Sequence, residues 1–133
     1  MSKKLSNIDI VRAIQDGTAD NEMETGLRYY NESTRLREAP SLPYGGTYYG
    51  HGGMKEFLKK HHETWSEHTL KVHRYIDAGD QVICLVELMT TSRATGKKVN
   101  MLVTEWWTLK DGIVTDIHEF YFDTAAVVAA TQA

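Results

Sequence analysis

An acid placed among apolar neighbours is the feature of this sequence that most suggests chemistry. Strict alternation from Val99 puts Val99, Met101, Val103, Glu105, Trp107 and Leu109 on one face of a strand, so Glu105 is a carboxyl inside an apolar stripe. A carboxyl there loses hydration, and its pKa rises toward neutrality. In its protonated form it can donate a hydrogen bond to a carbonyl oxygen or a developing enolate. Glu38 follows Thr34 and Leu36 on one face, and if Leu36 turns inward Glu38 comes within reach of a ligand as a proton acceptor. His118 shares a face with Phe120 and Phe122, and pairing of its strand with that of Glu105 would add a mostly neutral imidazole. Glu38, Glu105 and His118 are therefore the candidate catalytic residues. Each also has a structural reading: Glu105 paired with an arginine or a tyrosine hydroxyl, Glu38 a solvated charge beside Arg35 and Arg37, His118 a satisfied core histidine.

Around these groups, Tyr48, Phe57, His61, Trp65, Met101, Trp107, Phe120 and Phe122 are the expected walls of a ligand pocket, while Trp106 alternates to the opposite side. Other chemistries find little support. His62-Glu63-Thr64-Trp65-Ser66 puts Ser66 where a zinc helix needs its second histidine, and no cysteine cluster exists, so no metal is expected. Gly50 to Gly53 lack the lysine and spacing of a phosphate loop, and no serine sits in a nucleophile elbow.

The elements that must position these residues follow from periodicity. Ser6 or Asn7 caps a helix carrying Ile8, Val11 and Ile14, with Gly17 as its stop. Asp20 caps a second, carrying Met23, Leu27 and Tyr30 and weakened by Gly26. A third follows Gly50 to Gly53 and stacks Met54, Phe57, Leu58, His61 and Trp65 on one face, with Lys55, Lys59 and Lys60 on its wet side. From about Thr69 the period becomes two. Turns at Ala78-Gly79-Asp80, Ala94 to Lys97 and Lys110-Asp111-Gly112 separate strands in an antiparallel meander, and a short helix begins near Asp123. Ser33 to Tyr49 reads as a short strand plus an ordered crossing loop. Helices first and long strands after predict an α+β fold in which a curved sheet wraps the helices and leaves a cone-shaped pocket.

At 133 residues, one domain spanning 1–133 is the expectation. A net charge of −3 gives no field for a phosphate backbone or an anionic membrane, so neither nucleic acid nor membrane is an expected partner. Cys84, the lone cysteine, sits in an apolar run and suits a reducing compartment, and no leader or spanning segment is read, so a cytoplasmic location is expected. Val82 to Met89 is apolar on both faces, which a homodimer would cover.

Four stretches resemble the nuclear transport factor 2-like superfamily, most closely its SnoaL-like and ketosteroid isomerase-like branch: Tyr30 to Glu38, Leu42 to Gly50, Val103 to Gly112 and Ile117 to Ala125. The resemblance implies an α+β roll of the cystatin-like kind. It places Glu38 where ketosteroid isomerases have their general base and Glu105 where they have a protonated oxyanion-hole acid, with Ile14 near the place of their tyrosine. It aligns Phe120 with the essential aspartate of limonene epoxide hydrolases, which speaks against epoxide hydrolysis, and lets His118 fill the histidine role of SnoaL-like cyclases. The expected function is a cofactor-free isomerase or cyclase acting on a small apolar carbonyl compound. A non-catalytic small-molecule-binding module and a dimeric interaction domain are the alternatives.

Overall fold

The computed structural model describes residues 5–16 and 27–132. Helix α1 (Asn7–Gln15) starts where the Ser6 side chain accepts a hydrogen bond from the Asp9 amide, and it buries Ile10, Val11 and Ile14. Gly17 and the part of the predicted second helix from Asp20 to Gly26 lie outside the described residues. Strands β1 (Arg35–Glu38) and β2 (Gly46–Tyr49) follow, then α2 (Gly50–Thr64), β3 (Trp65–Ala78), β4 (Gln81–Ser92), β5 (Lys98–Lys110), β6 (Ile113–Tyr121) and α3 (Thr124–Thr131).

The six strands form one curved sheet in the order β2-β1-β6-β5-β4-β3. Neighbours are antiparallel except β1 and β6, which run parallel, because the chain crosses from one end of the sheet to the other before the meander begins. One face of the sheet carries the core. Leu36, Val82, Cys84, Val86, Leu88, Val103, Trp107 and Ile117 pack there against Ile10, Val11, Ile14 and Met54 from the helices. A second cluster of Leu42, Tyr44, Trp65, Val99, Val127 and Ala130 closes the end near α3. The predicted α+β roll is therefore the observed architecture. Among the described residues, no helix is long and apolar enough to cross a membrane.

Two boundaries differ from the sequence-based expectation, both for local reasons. Gly50 to Gly53 lie inside α2 rather than before it, because Gly50 takes a positive φ of 64° against the Glu32 backbone, and a Cβ on Gly53 would crowd Tyr48. Trp65 leaves the helix and opens β3, since its extended backbone pairs with Ser92. It packs in the second cluster instead of on the helix face.

The β5–β6 hairpin carries the detail that decides the site. Asp111 and Gly112 have φ of 52° and 79°, the pair of positive values that a tight two-residue hairpin needs, so Lys110 pairs with Ile113 and Leu109 with Val114. The next rung is Thr108 with Asp116, which leaves Thr115 as an extra residue on β6, its hydroxyl donating to the Thr108 carbonyl at 3.2 Å. Every side chain of β6 beyond that bulge is on the face opposite to the one uninterrupted alternation assigns.

Candidate functional site

The bulge makes Glu119, not His118, the cross-strand neighbour of Glu105, and pairs His118 with Trp106. His118, Phe120 and Phe122 do share a direction, but it is outward. Phe120 is 48% exposed and Phe122 82% exposed, and the His118 ring lies 4.2 Å from that of Phe120 on the outer surface beside Trp106. The expectation that these three face the pocket is corrected, and Ile117, Glu119 and Tyr121 take their place.

Three carboxyl groups meet inside. Glu105 is buried at 4% exposure, and its Oε1 accepts from the Gln15 side-chain amide and from Trp107 Nε1 at 3.3 Å. These donors are neutral, so the structural pairing with an arginine or a tyrosine is not what holds Glu105. Desolvation first, and then the charge of Glu119, raise its pKa well above the usual carboxylate range. Glu38 follows Leu36 inward at the end of β1 and is likewise 4% exposed, not a solvated strand-end charge. Burial pushes its pKa up to about 8, with hydrogen bonding from the nearby Glu119 opposing that rise and the charge of Glu105 adding to it. Arg35 and Arg37, which alternate outward, are instead taken up by Asp116 at 2.8 and 2.7 Å.

Two lobes of about 70 and 60 Å³ flank the acids along the strands. Glu105, Glu119, Phe57 and Leu58 line both and form a waist between them. The first lobe continues over Leu70, Val86, Leu88 and Tyr121 to His61 and His68. The second is walled by Tyr30, Leu36, Met54, Trp107 and Ile117. Glu38 lines neither lobe and backs Glu119 from behind. Among the sequence-predicted walls, Phe57, His61 and Trp107 line the lobes. Tyr48, Trp65 and Met101 do not: Tyr48 and Trp65 are buried core, and Met101 is half-buried between the two clusters.

His61 and His68 meet edge to face with ring centroids 4.4 Å apart. Burial first, then the neighbouring imidazoles, lower the pKa of His61 to about 3, and burial lowers His68 in the same direction. Both rings are thus neutral near pH 7 and offer a donor and an acceptor without charge. Behind the first lobe, Trp65 Nε1 donates to the Tyr44 hydroxyl at 3.3 Å, and that hydroxyl meets the Tyr121 hydroxyl at 2.7 Å. Tyr48 donates to the Tyr44 carbonyl at 2.9 Å, which fixes the loop carrying Tyr44.

The arrangement offers hydrogen-bond donors and proton carriers in an apolar setting, and among the described residues no lysine or arginine lines the lobes. A family model described as the SnoaL-like domain matches residues 11–117. No curated protein matches the chain at a significant level. Among solved structures, an NTF2-like protein from Burkholderia thailandensis is 24% identical, with a TM-score of 0.90 over 98% of this chain and 100% of that one. TerC, co-crystallised with polyporic acid, is 25% identical, with a TM-score of 0.84 over 96% of this chain and 98% of that one. A protein of cystatin-like fold from Xanthomonas campestris is 16% identical, with a TM-score of 0.84 over 97% of this chain and 100% of that one. With a matching model that spans most of the 133 residues and neighbours that reproduce the sheet and its helices over nearly their whole length, this chain belongs to the SnoaL-like domain family.

Proposed function

We propose that the chain is an acid–base enzyme of the isomerase or cyclase type acting on a small, largely apolar carbonyl compound. The observation that carries this reading is the direct opposition of Glu105 and Glu119 at the waist of an apolar cavity, with Glu38 behind Glu119. Protonated Glu105 donates to the carbonyl oxygen. Glu119 takes the proton from the adjacent carbon and shares it with Glu38, and the C–H electrons move into the enolate. Return of that proton to a different carbon completes an isomerisation. In a cyclisation the enolate carbon attacks a second carbonyl, whose oxygen takes its proton from Glu105. General acid–base catalysis of this kind supplies on the order of 10²- to 10⁴-fold, and Glu38, pushed up to about 8 by burial, holds the proton shared with Glu119 more tightly than an ordinary carboxylate does.

The co-crystal of TerC with polyporic acid supports an organic ligand for this cavity, because that protein matches nearly the whole chain. A module that binds the same compound without turning it over is the competing reading. Solvent deuterium exchange at the carbon beside a ketone carbonyl, followed by NMR, separates them. Exchange that is accelerated by the wild type and lost in Glu119→Gln supports the enzyme; binding without exchange leaves the module.

A further inference from the structure

The lobes do not lie on one side of the acids; they lie on both. Glu105 and Glu119 from the sheet and Phe57 and Leu58 from α2 are common to the two lobes, so a ligand whose oxygen is held at the waist has space to extend in two directions. An oxygen at the end of a chain would fill one lobe and leave the other empty, losing the burial that the second could provide, on the order of 25 cal/mol for each Å² of apolar surface. The lobes also differ in character. The second ends on Leu36, Met54 and Ile117, whereas the first reaches His61 and His68, whose rings can bond a hydroxyl or carbonyl but repel nothing neutral.

We infer that the site takes an uncharged ketone whose oxygen is central, flanked by two short apolar arms of about three or four carbons each, the arm in the first lobe tolerating a polar tip. This rests on the acid–base reading of the same site and adds to it the position of the reacting group within the substrate. Neutral compounds should be preferred over anionic ones of the same shape, because a negative charge at the waist would face the carboxyl groups with no lysine or arginine lining either lobe among the described residues.

Two ketones of the same formula test this. In 2,6-dimethylheptan-4-one the carbonyl lies between two isobutyl arms; in nonan-2-one it lies one carbon from the end. The dissociation constant of each is measured by calorimetry on the full chain, with deuterium exchange beside the carbonyl followed in parallel. The expected result is binding of the central ketone at least tenfold tighter than the terminal one. Filling either lobe should bring the two ketones to within about twofold of each other, Met54→Phe acting in the second lobe and Leu70→Phe in the first. The second variant, on an edge strand, keeps the test available if the first does not fold. Equal affinity of the two ketones for the wild type overturns the central-oxygen assignment while leaving acid–base chemistry intact if exchange is still catalysed. Binding of neither, with no exchange, overturns both.

Discussion

Glu105 stands directly opposite Glu119 across the β5–β6 ladder, while the adjacent rung, Trp106 with His118, points to the other side of the sheet. One strand pair thus separates an interior of acids from an exterior of aromatics. Two buried acids opposed in this way cannot both ionise cheaply, and the pH behaviour of the chain follows from that.

Activity should rise with pH through about 8, because Glu38, the proton acceptor behind Glu119, must be ionised to receive a proton and burial pushes it to that value. Glu105 must keep its proton to act as donor, and burial holds that proton well above the ordinary carboxylate range, so its loss on the alkaline side should make the profile of kcat/KM bell-shaped. Glu38→Gln should abolish the rising limb. A profile that instead rises near pH 4 to 5, the ordinary carboxylate range, would remove Glu38 from the mechanism.

Stability should be highest between roughly pH 4.5 and 6.5 and fall on both sides. Glu38 has a folded pKa raised from 4.5 to about 8, so its contribution is complete below 4.5 and is lost as pH rises through 8; Glu105 is shifted in the same direction. His61 has a folded pKa lowered from 6.5 to about 3, so its contribution is complete above 6.5 and is lost as pH falls through 3. Between 4.5 and 6.5 the falling slopes of Glu38 and Glu105 are opposed by the rising slopes of His61 and of His68, whose pKa burial also lowers. Outside that window each group changes stability by up to about 1.4 kcal/mol per pH unit. Denaturant melts across pH 3 to 9 check the shape, and Glu38→Gln should flatten the alkaline side.

Replacing Glu105 by Gln should leave stability within about 1 kcal/mol of the wild type, since the amide oxygen can still accept from Gln15 and Trp107. Glu105→Leu strands the buried Trp107 Nε1 and the half-buried Gln15 amide at once and should cost about 2 kcal/mol or more. Comparison of their urea midpoints is the check. Equal melting of the two variants would show that those two hydrogen bonds contribute little.

The outer face should form a homodimer. Leu102 at 46% and Trp106 at 37% exposure lie with Phe120 on the outer face as exposed apolar residues, the last two meeting edge to face at 6.4 Å. Sedimentation at tens of micromolar, on the order of ordinary assay concentrations, is expected to give twice the chain mass, and Trp106→Lys to give a monomer. A wild type that sediments as a monomer leaves the patch for some other role.

Most of the fold could be read from the sequence because burial follows periodicity. Leu36 and Glu38 turn inward together, Glu105 lies among Val103 and Trp107, and Trp106 faces out, all as alternation requires. What alternation could not supply was which face of β6 is interior, because both carry aromatic residues. The clue was present: Val114 and Ile117 are both buried yet three positions apart, a spacing no regular strand can put on one face. The extra residue between them is what brings both to the inner face. Glu119 was missed for the same reason, since between His118 and Phe120 it reads as a solvated charge. Trp65 was misplaced by a boundary, its helical spacing from His61 being cut when the chain straightens at Thr64.

The extra residue at Thr115 acts on β6 much as an inserted letter acts on a reading frame. No side chain from Asp116 to Tyr121 needs to change for the interior to change; removing one position upstream would bring His118 and Phe120 inside and send Glu119 and Tyr121 to the surface. Two chemistries are therefore written on the same strand, one on each face, and the length of the hairpin arm selects which is expressed. Substitution scans of the site sample only the frame in use, whereas deleting one residue from this arm would present an imidazole where the chain now presents an acid.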